Sequence, residues 1–453
     1  TDLSAAYSMG WEDRGTFVYE QLNRQAEESQ ARVLKYLDAR GVTYKPFWIS
    51  NAILVESTNS NTLNGLLNFT EIETLQSISQ VMLMVPEFLP NEMVSTETGG
   101  VTRNLQRINA DEVWGLGYSG TGMIVGSIDT GVRYTHESLV NQYRGNQGVS
   151  YDHHYDWWDA VNGRNAPYDD NSHGTHITGT MVGDDGGSNR IGVAPGAEWI
   201  ACKGMDAYGS GSGDTLLECA QFMLAPTDLN GKNPNPNLRP HVVNNSWGSC
   251  DDPPIDWFEV AIDAWQAAGI YPVFANGNAS NCGYPEPPGL DTVTYPARLH
   301  QVTAVGSTGN DDGTYAFHSN WGPTDDPDTT NPNGYPSIKP QVVAPGVLIL
   351  SAVNQSDSSY ALGTGTSMSA PHVAGLVALL WQASPSLRGN YAATESLIQN
   401  KAVAITYATG NGDEGPGNVP NHATGWGEID ALAAVLAIHV DFDQSVFLPI
   451  IVH

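Results

Sequence analysis

Ser367 stands where a Gly-Thr turn passes into a long apolar run, within Gly-Thr-Ser-Met-Ser-Ala-Pro-His at positions 365–372. The apolar run that follows, positions 373–381, predicts a helix buried on nearly every side. A serine in the first turn of such a helix lies beside N–H groups without helical partners, at the positive end of the helix dipole. An oxyanion would be stabilised there. Serine and threonine are also favoured helix caps, so this stretch alone is equally compatible with a structural role.

Two further polar motifs have chemistry that complements a serine. Asp129 directly follows an apolar segment in Ile-Asp-Thr-Gly, and His173 opens His-Gly-Thr-His ahead of a run of small residues. A serine hydroxyl is a poor nucleophile until a base takes its proton, and imidazole titrates near neutrality. A buried carboxylate fixes the tautomer of the imidazole and stabilises the imidazolium. The three motifs together predict nucleophilic catalysis.

Each motif also has a competing interpretation. Asp-Thr-Gly occurs in aspartic proteases, but those pair two carboxylates, and the sequence has no second Asp-Thr-Gly or Asp-Ser-Gly. His173 and His176 are spaced closely enough to be metal ligands, although no third ligand is obvious near them. His372, further along the serine stretch, is expected to pack within its helix.

Asn278 follows an apolar segment and a glycine in Phe-Ala-Asn-Gly-Asn, positions 274–278. A side-chain amide at such a place can point at a developing oxyanion, a contact worth ~3–4 kcal/mol in the transition state. Asn-Gly is equally the signature of an ordinary turn. The sequence therefore leaves both interpretations open for this residue.

The elements between these motifs predict the fold. Short apolar segments recur near positions 123–128, 199–202, 241–244, 271–275 and 302–305, with helical stretches near 108–116, 178–182, 214–225 and 255–268. Strands that alternate with helices indicate a mainly parallel sheet covered on both faces, an α/β fold of three layers. Such sheets place their sites at the carboxyl ends of the strands, which is where the polar motifs fall.

The N-terminal part has a different pattern. Positions 1–16 are polar without periodicity, and we expect a disordered lead-in there. Positions 17–40 predict a helix, 44–56 two strands or one bent strand, 62–68 a short helix and 78–85 a second apolar segment. A segment rich in Pro, Glu, Ser, Thr and Gly between positions 86 and 100 predicts a boundary. At the other end, positions 441–453 form a short apolar tail that we expect to be an edge strand.

Composition excludes several function classes. The 453 residues carry a formal net charge of −30, which repels phosphate backbones and anionic lipid, so we expect no nucleic-acid partner. No apolar run approaches the roughly 20 residues of a membrane span. No signal peptide is visible at Thr1, so such a segment would be removed or lie outside this sequence. Four cysteines without a Cys-x-x-Cys pattern favour disulfides or buried thiols over zinc.

The order Asp129, His173, Ser367, each within its motif, resembles the subtilisin-like serine proteases (family S8) over about positions 103–440. Positions 168–172, 191–196 and 244–248 most resemble the bacillopeptidase F branch of that family. The resemblance implies that the aspartate orients the histidine, that the histidine is the general base and acid, and that the serine is the nucleophile. Asn278 and the Ser367 backbone N–H would then form the oxyanion hole.

The resemblance also implies the S1 pocket, which takes the side chain before the cleaved bond. Its walls would comprise Ser246, Trp247 and Gly248, and Ala275, Asn276 and Gly277. Thr294 stands where some relatives carry glycine in the floor of the pocket. A side chain at that position shortens the pocket, so we expect medium or small apolar P1 residues over Phe or Tyr.

Positions 17–92 resemble the inhibitory propeptide of the family, a small ferredoxin-like α+β domain whose first strand is missing or degenerate here. We expect the self-cleavage in the linker at positions 93–102. Cys250 and Cys282 would follow the two pocket walls, so a disulfide between them is expected, and Cys202 and Cys219 form a close pair in one strand–helix unit. Two buried free thiols are the alternative for the second pair.

We therefore expect a secreted, monomeric serine endopeptidase that acts on protein or peptide substrates and carries its propeptide as an intramolecular inhibitor. No cofactor is required for the chemistry. Structural calcium is common among relatives, and Asp184, Asp185 and Asn189 are the candidate ligands, although an ordinary acidic turn explains them equally. The alternative is a catalytically silent member that serves as a binding protein, which no residue of the site supports.

Overall fold

A computed structural model describes residues 1–453 except positions 57, 78–79, 84–86, 91–99, 251–256, 311, 325–337, 411, 413 and 444–453. A 3-10 turn at Ser4–Ser8 leads into helix α1 (Trp11–Asp38), then β1 (Tyr44–Phe47), β2 (Ala52–Val55), α2 (Ser60–Leu66), β3 (Gln80–Leu83) and β4 (Glu87–Pro90). The strands β1 and β2 form an antiparallel hairpin.

Strands and helices alternate through the rest of the chain. In order these are β5 (Gly100–Val101), α3 (Arg103–Arg107), α4 (Ala110–Gly115), β6 (Ile124–Asp129), β7 (Trp157–Asp159), α5 (His173–Val182), β8 (Asn189–Arg190), β9 (Glu198–Lys203), β10 (Ser210–Ser212), α6 (Gly213–Leu224), β11 (Val242–Asn245), β12 (Trp247–Gly248), α7 (Glu259–Ala268), β13 (Tyr271–Ala275), β14 (Thr303–Thr308), β15 (Val342–Pro345), β16 (Ile349–Ala352), β17 (Tyr360–Thr364), α8 (Thr366–Ala383), α9 (Tyr391–Lys401) and α10 (Ala431–Asp443).

A parallel sheet of seven strands forms the centre, in the order β15-β14-β13-β11-β6-β9-β7. Its strands are short apolar runs without alternation, because both faces of the sheet are covered. Helices α5 and α8 contribute Ile177, Met181 and Leu376 to the core on one face. Helices α6 and α7 contribute Leu216 and Trp265 to the core on the other. The predicted three-layer α/β fold is confirmed.

The helix α1 belongs to two cores at once. Its first half places Val18 and Leu22 in the core that α6 and α7 form with the sheet. Its second half places Val33 and Leu37 against the β1–β2 hairpin and α2, in a small core made only of residues from this N-terminal part. The N-terminal part is α+β as expected, but its strand β3 pairs with β10 and β12 rather than with the hairpin.

One expectation about the ends of the chain is wrong. Positions 1–16 are not without structure, because α1 begins at Trp11 and its first turn contacts residues far along the chain that no local periodicity reveals. Of the tail at positions 441–453, the first three residues belong to α10, which extends to Asp443, and the remainder lies outside the described residues. Within the described ranges, no helix combines the length and apolar character needed to cross a membrane.

Candidate active site

Three elements end or begin at the carboxyl edge of the sheet and bring the polar motifs together. Asp129 is the last residue of β6, His173 is the first residue of α5, and Ser367 lies in the first turn of α8. Strand β6 lies inside the sheet, between β11 and β9, and both helices pack against it and against each other. This is the edge at which parallel sheets carry their sites.

Asp129 and His173 form a buried pair. The carboxylate Oδ1 lies 2.7 Å from Nδ1 of the histidine, and the two side chains are 1% and 0% exposed respectively. Oδ1 also accepts the N–H of Thr130 at 2.8 Å. An ionised carboxylate can only accept, so Nδ1 carries the hydrogen and Nε2 is the basic nitrogen. Among the described residues Nε2 has no hydrogen-bond partner.

Asp169 accepts hydrogen bonds from residues next to both members of this pair, although it is not among the predicted site residues. Its Oδ1 accepts the hydroxyl of Thr130 at 2.9 Å and the N–H groups of Asn171 and Ser172 at 2.9 and 3.0 Å. Its Oδ2 accepts the N–H and hydroxyl of Thr175 at 3.0 and 2.6 Å. Burial raises the pKa of Asp169, although each of these donors favours the ionised form. The signal available in the sequence was an aspartate four residues before the histidine, where Asx turns are common.

Ser367 makes two hydrogen bonds with Ser246. Its hydroxyl donates to the Ser246 carbonyl oxygen at 3.2 Å, and the Ser246 hydroxyl donates to the Ser367 carbonyl oxygen at 3.0 Å. Asn244 in turn donates to the Ser246 hydroxyl at 2.9 Å. The nucleophile candidate is therefore fixed at the start of α8 next to the strand β12.

Asn278 is oriented by the residue before the serine. Its Oδ1 accepts the backbone N–H of Thr366 at 2.9 Å and the hydroxyl of Thr366 at 3.0 Å. Because one amide atom accepts two hydrogen bonds, it is assigned as the oxygen. The other atom is then the nitrogen, which can donate. The side chain is buried, and an ideal Cβ on Gly365 would lie 3.2 Å from the amide nitrogen.

The residues expected to form the S1 pocket lie together. Strand β12 supplies Trp247 and Gly248 beside Ser246, and Ala275, Asn276 and Gly277 lead out of β13. The N–H of Thr294 donates to the Asn276 carbonyl oxygen at 3.2 Å. Gly277 has φ +104°, and a Cβ there would lie 2.6 Å from Cγ2 of Thr294. The threonine therefore packs directly on the second wall.

Both expected disulfides are present. Cys250 and Cys282 are bonded and join the loop after β12 to the turn after Asn278, so they link the two candidate pocket walls. Cys202 at β9 is bonded to Cys219 in α6. The alternative of two buried free thiols is wrong for the second pair.

A strand of the N-terminal part lies between the two strands that flank the pocket. Strand β3 pairs antiparallel with β10 and β12, placing Leu83 opposite Trp247 and Val81 opposite Gly211. Val81 and Leu83 are 1% and 2% exposed, while Met82 between them is 56% exposed. Strand β4, after three intervening residues, pairs antiparallel with β17, the strand that leads into Ser367. Sequence reasoning missed this pairing, because the two strands lie more than 100 residues from their partners.

The other histidines of the motifs have structural roles. His176 donates from Nε2 to the Ile349 carbonyl oxygen at 3.0 Å, and burial lowers its pKa to about 3. His372 donates from Nδ1 to the Met368 carbonyl oxygen and accepts from Asn104, both at 2.8 Å. The ring of His176 is thus turned to a backbone carbonyl.

The calcium candidates make hydrogen bonds within their own loop. Asp185 accepts the N–H groups of Gly187 and Asn189 and the side-chain amide of Asn189 at 2.7, 3.0 and 2.8 Å. Asp184 accepts the N–H of Gly186 at 2.8 Å. These carboxylates therefore close the loop on itself. The part of the chain that the structure describes contains no group of three His, Cys, Asp or Glu side chains arranged to hold a metal.

A buried Asp–His pair beside a helix with serine in its first turn, at the carboxyl edge of a parallel sheet, is an arrangement found in serine hydrolases. The subtilase family model matches residues 120–427. Bacillopeptidase F of Bacillus subtilis (strain 168) is 36% identical over 436 residues, which cover 93% of this chain and 28% of that protein. Subtilisin Savinase of Lederbergia lenta is 32% identical over 282 residues, 62% of this chain and 84% of the relative. M-protease of Shouchella clausii (strain KSM-K16) is 30% identical over 333 residues, 70% of this chain and 73% of the relative.

The chain therefore belongs to the subtilase family of serine peptidases. It spans about a quarter, 28%, of the length of Bacillopeptidase F. The matched residues contain Asp129, His173, Asn278 and Ser367, so the whole candidate site lies within the family's part of the chain.

Proposed function

We propose that this protein is a serine endopeptidase in which Ser367 is the nucleophile, His173 the general base and acid, and Asp129 the residue that orients the histidine. The observation that carries the proposal is the buried 2.7 Å contact between Asp129 and His173, which leaves Nε2 as the base beside the helix that has Ser367 in its first turn. In the first step Oγ of Ser367 attacks the carbonyl carbon of the peptide bond and its proton passes to Nε2.

The negative charge of the tetrahedral intermediate then falls on the former carbonyl oxygen. The backbone N–H of Ser367, in the first turn of α8, and the amide nitrogen of Asn278 are the donors that we assign to this oxygen. When the intermediate collapses, the C–N bond breaks and Nε2 returns the proton to the leaving amine. Water attacks the acyl-enzyme in the same way and regenerates Ser367.

The protein is proposed to be a proenzyme whose N-terminal part blocks the cleft. Because β3 pairs with both β10 and β12, it leaves no room for a substrate strand between them. The alternate side chains of β3 are buried, as those of an extended peptide bound between strands would be. We assign the self-cleavage to a bond between Leu83 and Glu87. Leu83 lies opposite Trp247, next to Ser246, and Glu87 lies opposite Thr364, three residues before Ser367. The linker at positions 93–102, where the sequence predicts the cut, lies mostly outside the described residues.

The substrates are proposed to be proteins or peptides with a medium or small apolar P1 residue. Contact of Thr294 with the wall at Gly277 supports a short pocket. Secretion is proposed because two disulfides are formed, which is typical of oxidising compartments. The chemistry uses protein groups alone, and a monomer is expected.

Active-site labelling tests this proposal. A fluorophosphonate should label Ser367 in the full chain after self-cleavage, and mass spectrometry should find a fragment that begins at Thr1 and ends between Leu83 and Pro86. The Ser367→Ala variant should neither be labelled nor be cut. Absence of labelling even after limited proteolysis of the N-terminal part would favour the alternative, a silent binding protein. A cut at positions 93–102 would overturn the assignment of the bond alone.

A further inference from the structure

Lys203 is a fully buried lysine beside the proposed catalytic pair. It is the last residue of β9, and the pairing of β9 with β6 places it directly opposite Asp129. Alternation along the two strands puts both residues on the face of the sheet that α5 and α8 cover, since Val125 and Ala201 belong to that core. Lysine is rarely buried without a partner, so the groups that Lys203 contacts need an explanation.

The ammonium group of Lys203 joins the two segments that carry the pair. Its Nζ donates to the carbonyl oxygen of Thr130, the residue after Asp129, at 2.7 Å. It also donates to Oδ1 of Asp170, three residues before His173, at 2.6 Å. One side chain on β9 therefore fixes the end of β6 against the segment that leads into α5.

Thr130 uses its other polar groups at the site as well. Its N–H donates to Oδ1 of Asp129 at 2.8 Å, and its hydroxyl donates to Asp169 at 2.9 Å. The same hydroxyl accepts the N–H of Gly174 at 3.0 Å. Thr130 is buried, so loss of Lys203 would deprive its carbonyl oxygen of a charged donor in a place where water does not easily replace it.

The lysine also affects the charge around the imidazole. Titratable side chains on the elements packed around His173 include Asp129, Asp169, Asp170, His176, Lys203 and His372. The two other histidines are neutral near pH 7, because burial lowers the pKa of His176 to about 3 and that of His372 to about 4. The carboxylates and the ammonium group therefore set the charge near the ring. Carboxylates favour the protonated imidazole, and an ammonium group opposes it.

We propose that Lys203, paired with Asp170, is a positioning residue for the Asp129–His173 pair. It holds the end of β6 and the start of α5 together through Thr130 and Asp170, and it offsets part of the carboxylate charge around the histidine. The effect on rate rests on the proposed peptidase activity. The effect on the geometry of the pair does not.

The first experiment measures kinetics after self-cleavage, with active sites counted by fluorophosphonate titration so that kcat refers to competent sites alone. Lys203→Met should lower kcat ~10-fold or more with KM held, the scale of one lost hydrogen bond to a charged group. It should also move the acidic limb of the kcat/KM profile to higher pH by ~0.5 unit or more, because a positive charge near the imidazole is lost. Asp170→Asn should lower kcat too, but it should move the limb to lower pH.

Lys339→Met is the matched control. Lys339 is also fully buried, and its Nζ donates to the carbonyl oxygens of Leu299 and Val302 at 2.6 and 3.0 Å. Val302 directly precedes β14, so this contact lies at the amino edge of the sheet, away from the site. Its loss should lower stability and leave both kcat per titrated site and the acidic limb unchanged.

Equal effects of Lys203→Met and Lys339→Met on kcat would overturn the proposal. Shifts of the limb in the same direction for Lys203→Met and Asp170→Asn would also overturn it, because a general loosening has no dependence on the sign of the charge removed. The side chain of Asp170 is 35% exposed, so Asp170→Asn tests the same contact if Lys203→Met gives no folded protein. Unchanged kcat and an unmoved limb in that variant would overturn the proposal.

The second experiment separates this proposal from the peptidase activity. It follows the Nδ1 proton of His173 by NMR in the full chain carrying Ser367→Ala, which cannot cut itself. Asp170→Asn and Lys203→Met should each shift this resonance and speed its exchange with water, and Lys339→Met should do neither. An unchanged resonance in the first two variants would overturn the proposal. A changed resonance without labelling of Ser367 in the first experiment would overturn the peptidase and leave the positioning role standing.

Discussion

Asn278 is tied to Thr366 by two hydrogen bonds on a single oxygen, the backbone N–H at 2.9 Å and the hydroxyl at 3.0 Å. This arrangement makes the orientation of the amide depend on the residue next to the nucleophile. The hydroxyl of Thr366 also accepts the N–H of Gly277 at 3.2 Å, so it connects the pocket wall to the same network. The donor end of Asn278 is thereby set before substrate arrives, which is the condition under which an oxyanion donor lowers a barrier.

Removing the donor should lower kcat with little change in KM. Asn278→Ala is expected to reduce kcat by about 10²–10³, the range measured for such a donor in subtilisin, a relative of this chain. Thr366→Val keeps the backbone hydrogen bond and loses the hydroxyl, so it should reduce kcat by about 5-fold, since one neutral hydrogen bond is worth ~1 kcal/mol. Steady-state kinetics on a peptide substrate distinguishes the two. A rise in KM with unchanged kcat would show that Asn278 binds the ground state instead.

Asp169→Asn should slow the reaction through the geometry of the Asp129–His173 pair. All five groups that Asp169 contacts are donors, and an amide in its place turns an N–H₂ group toward some of them. We expect kcat to fall ~10-fold or more with KM held, together with a shift in the acidic limb of the pH–rate profile. A change confined to thermal stability, with an unchanged pH profile, would reduce Asp169 to a purely structural residue.

The proposed catalytic residues could be picked out from the sequence because each stands in a short motif at the end of an element. Asp129 and His173 are recognisable from an apolar strand and a helix start, and the strand pattern predicts that they meet at one edge. The periodicity of β and α segments likewise predicts the three layers. Local signals suffice where the position of a residue is set by the element on which it lies.

The parts that could not be predicted depend on partners distant in the sequence. Nothing in the polar first sixteen residues signals that Arg14 reaches the end of α7, more than 250 residues away. Strand β3 reads as an ordinary apolar strand, and its burial depends on the edges of β10 and β12, not on its own sequence. The expectation of a disordered lead-in followed from reading composition without these contacts.

The Cys250–Cys282 disulfide should matter for binding as well as stability. It closes a loop with a sequence separation of 32 and joins the two candidate pocket walls. A double Cys→Ser variant should lose about 3–4 kcal/mol of unfolding free energy on the loop-entropy model. KM should rise because the walls are no longer tied. Cys202→Ser with Cys219→Ser is the matched control, since that bond joins β9 to α6 away from the pocket, and it should lower stability without a comparable change in KM.

Stability should fall steeply in acid because of buried neutral histidines. Burial lowers the pKa of His176 and His241 to about 3 and that of His318 and His372 to about 4, from 6.5 when unperturbed. Below pH 6.5 the unfolded chain therefore binds more protons than the folded one. Stability is fully present above that pH and is lost as the pH falls toward 4, by about 1.4 kcal/mol per pH unit for each histidine. Denaturant unfolding at pH 7, 6 and 5 measures the slope, and His318→Asn should make it shallower. A flat profile would contradict burial of these groups as neutral species.

Thr294 should control the choice of P1 residue. Its methyl group lies against Gly277, and its hydroxyl donates to the Asn276 carbonyl oxygen at 3.3 Å, so the side chain occupies space beside the candidate wall. Thr294→Gly removes three heavy atoms and deepens the pocket. The ratio of kcat/KM for a Phe P1 substrate over a Leu P1 substrate should rise by ~10-fold or more, since pocket depth is worth about 1–3 kcal/mol per methylene.

A matched substitution tests whether that effect is local. Thr292 lies in the same segment, but its hydroxyl donates to the Gly289 carbonyl oxygen at 3.0 Å and accepts the N–H of Trp321 at 2.9 Å, so it serves a neighbouring loop. Thr292→Gly should therefore leave the Phe-to-Leu ratio where it is in the unsubstituted protein, whatever it does to stability. If both variants raised the ratio equally, the change would reflect loosening of the segment. If the unsubstituted enzyme already preferred Phe or Arg at P1, Thr294 would not limit the pocket at all.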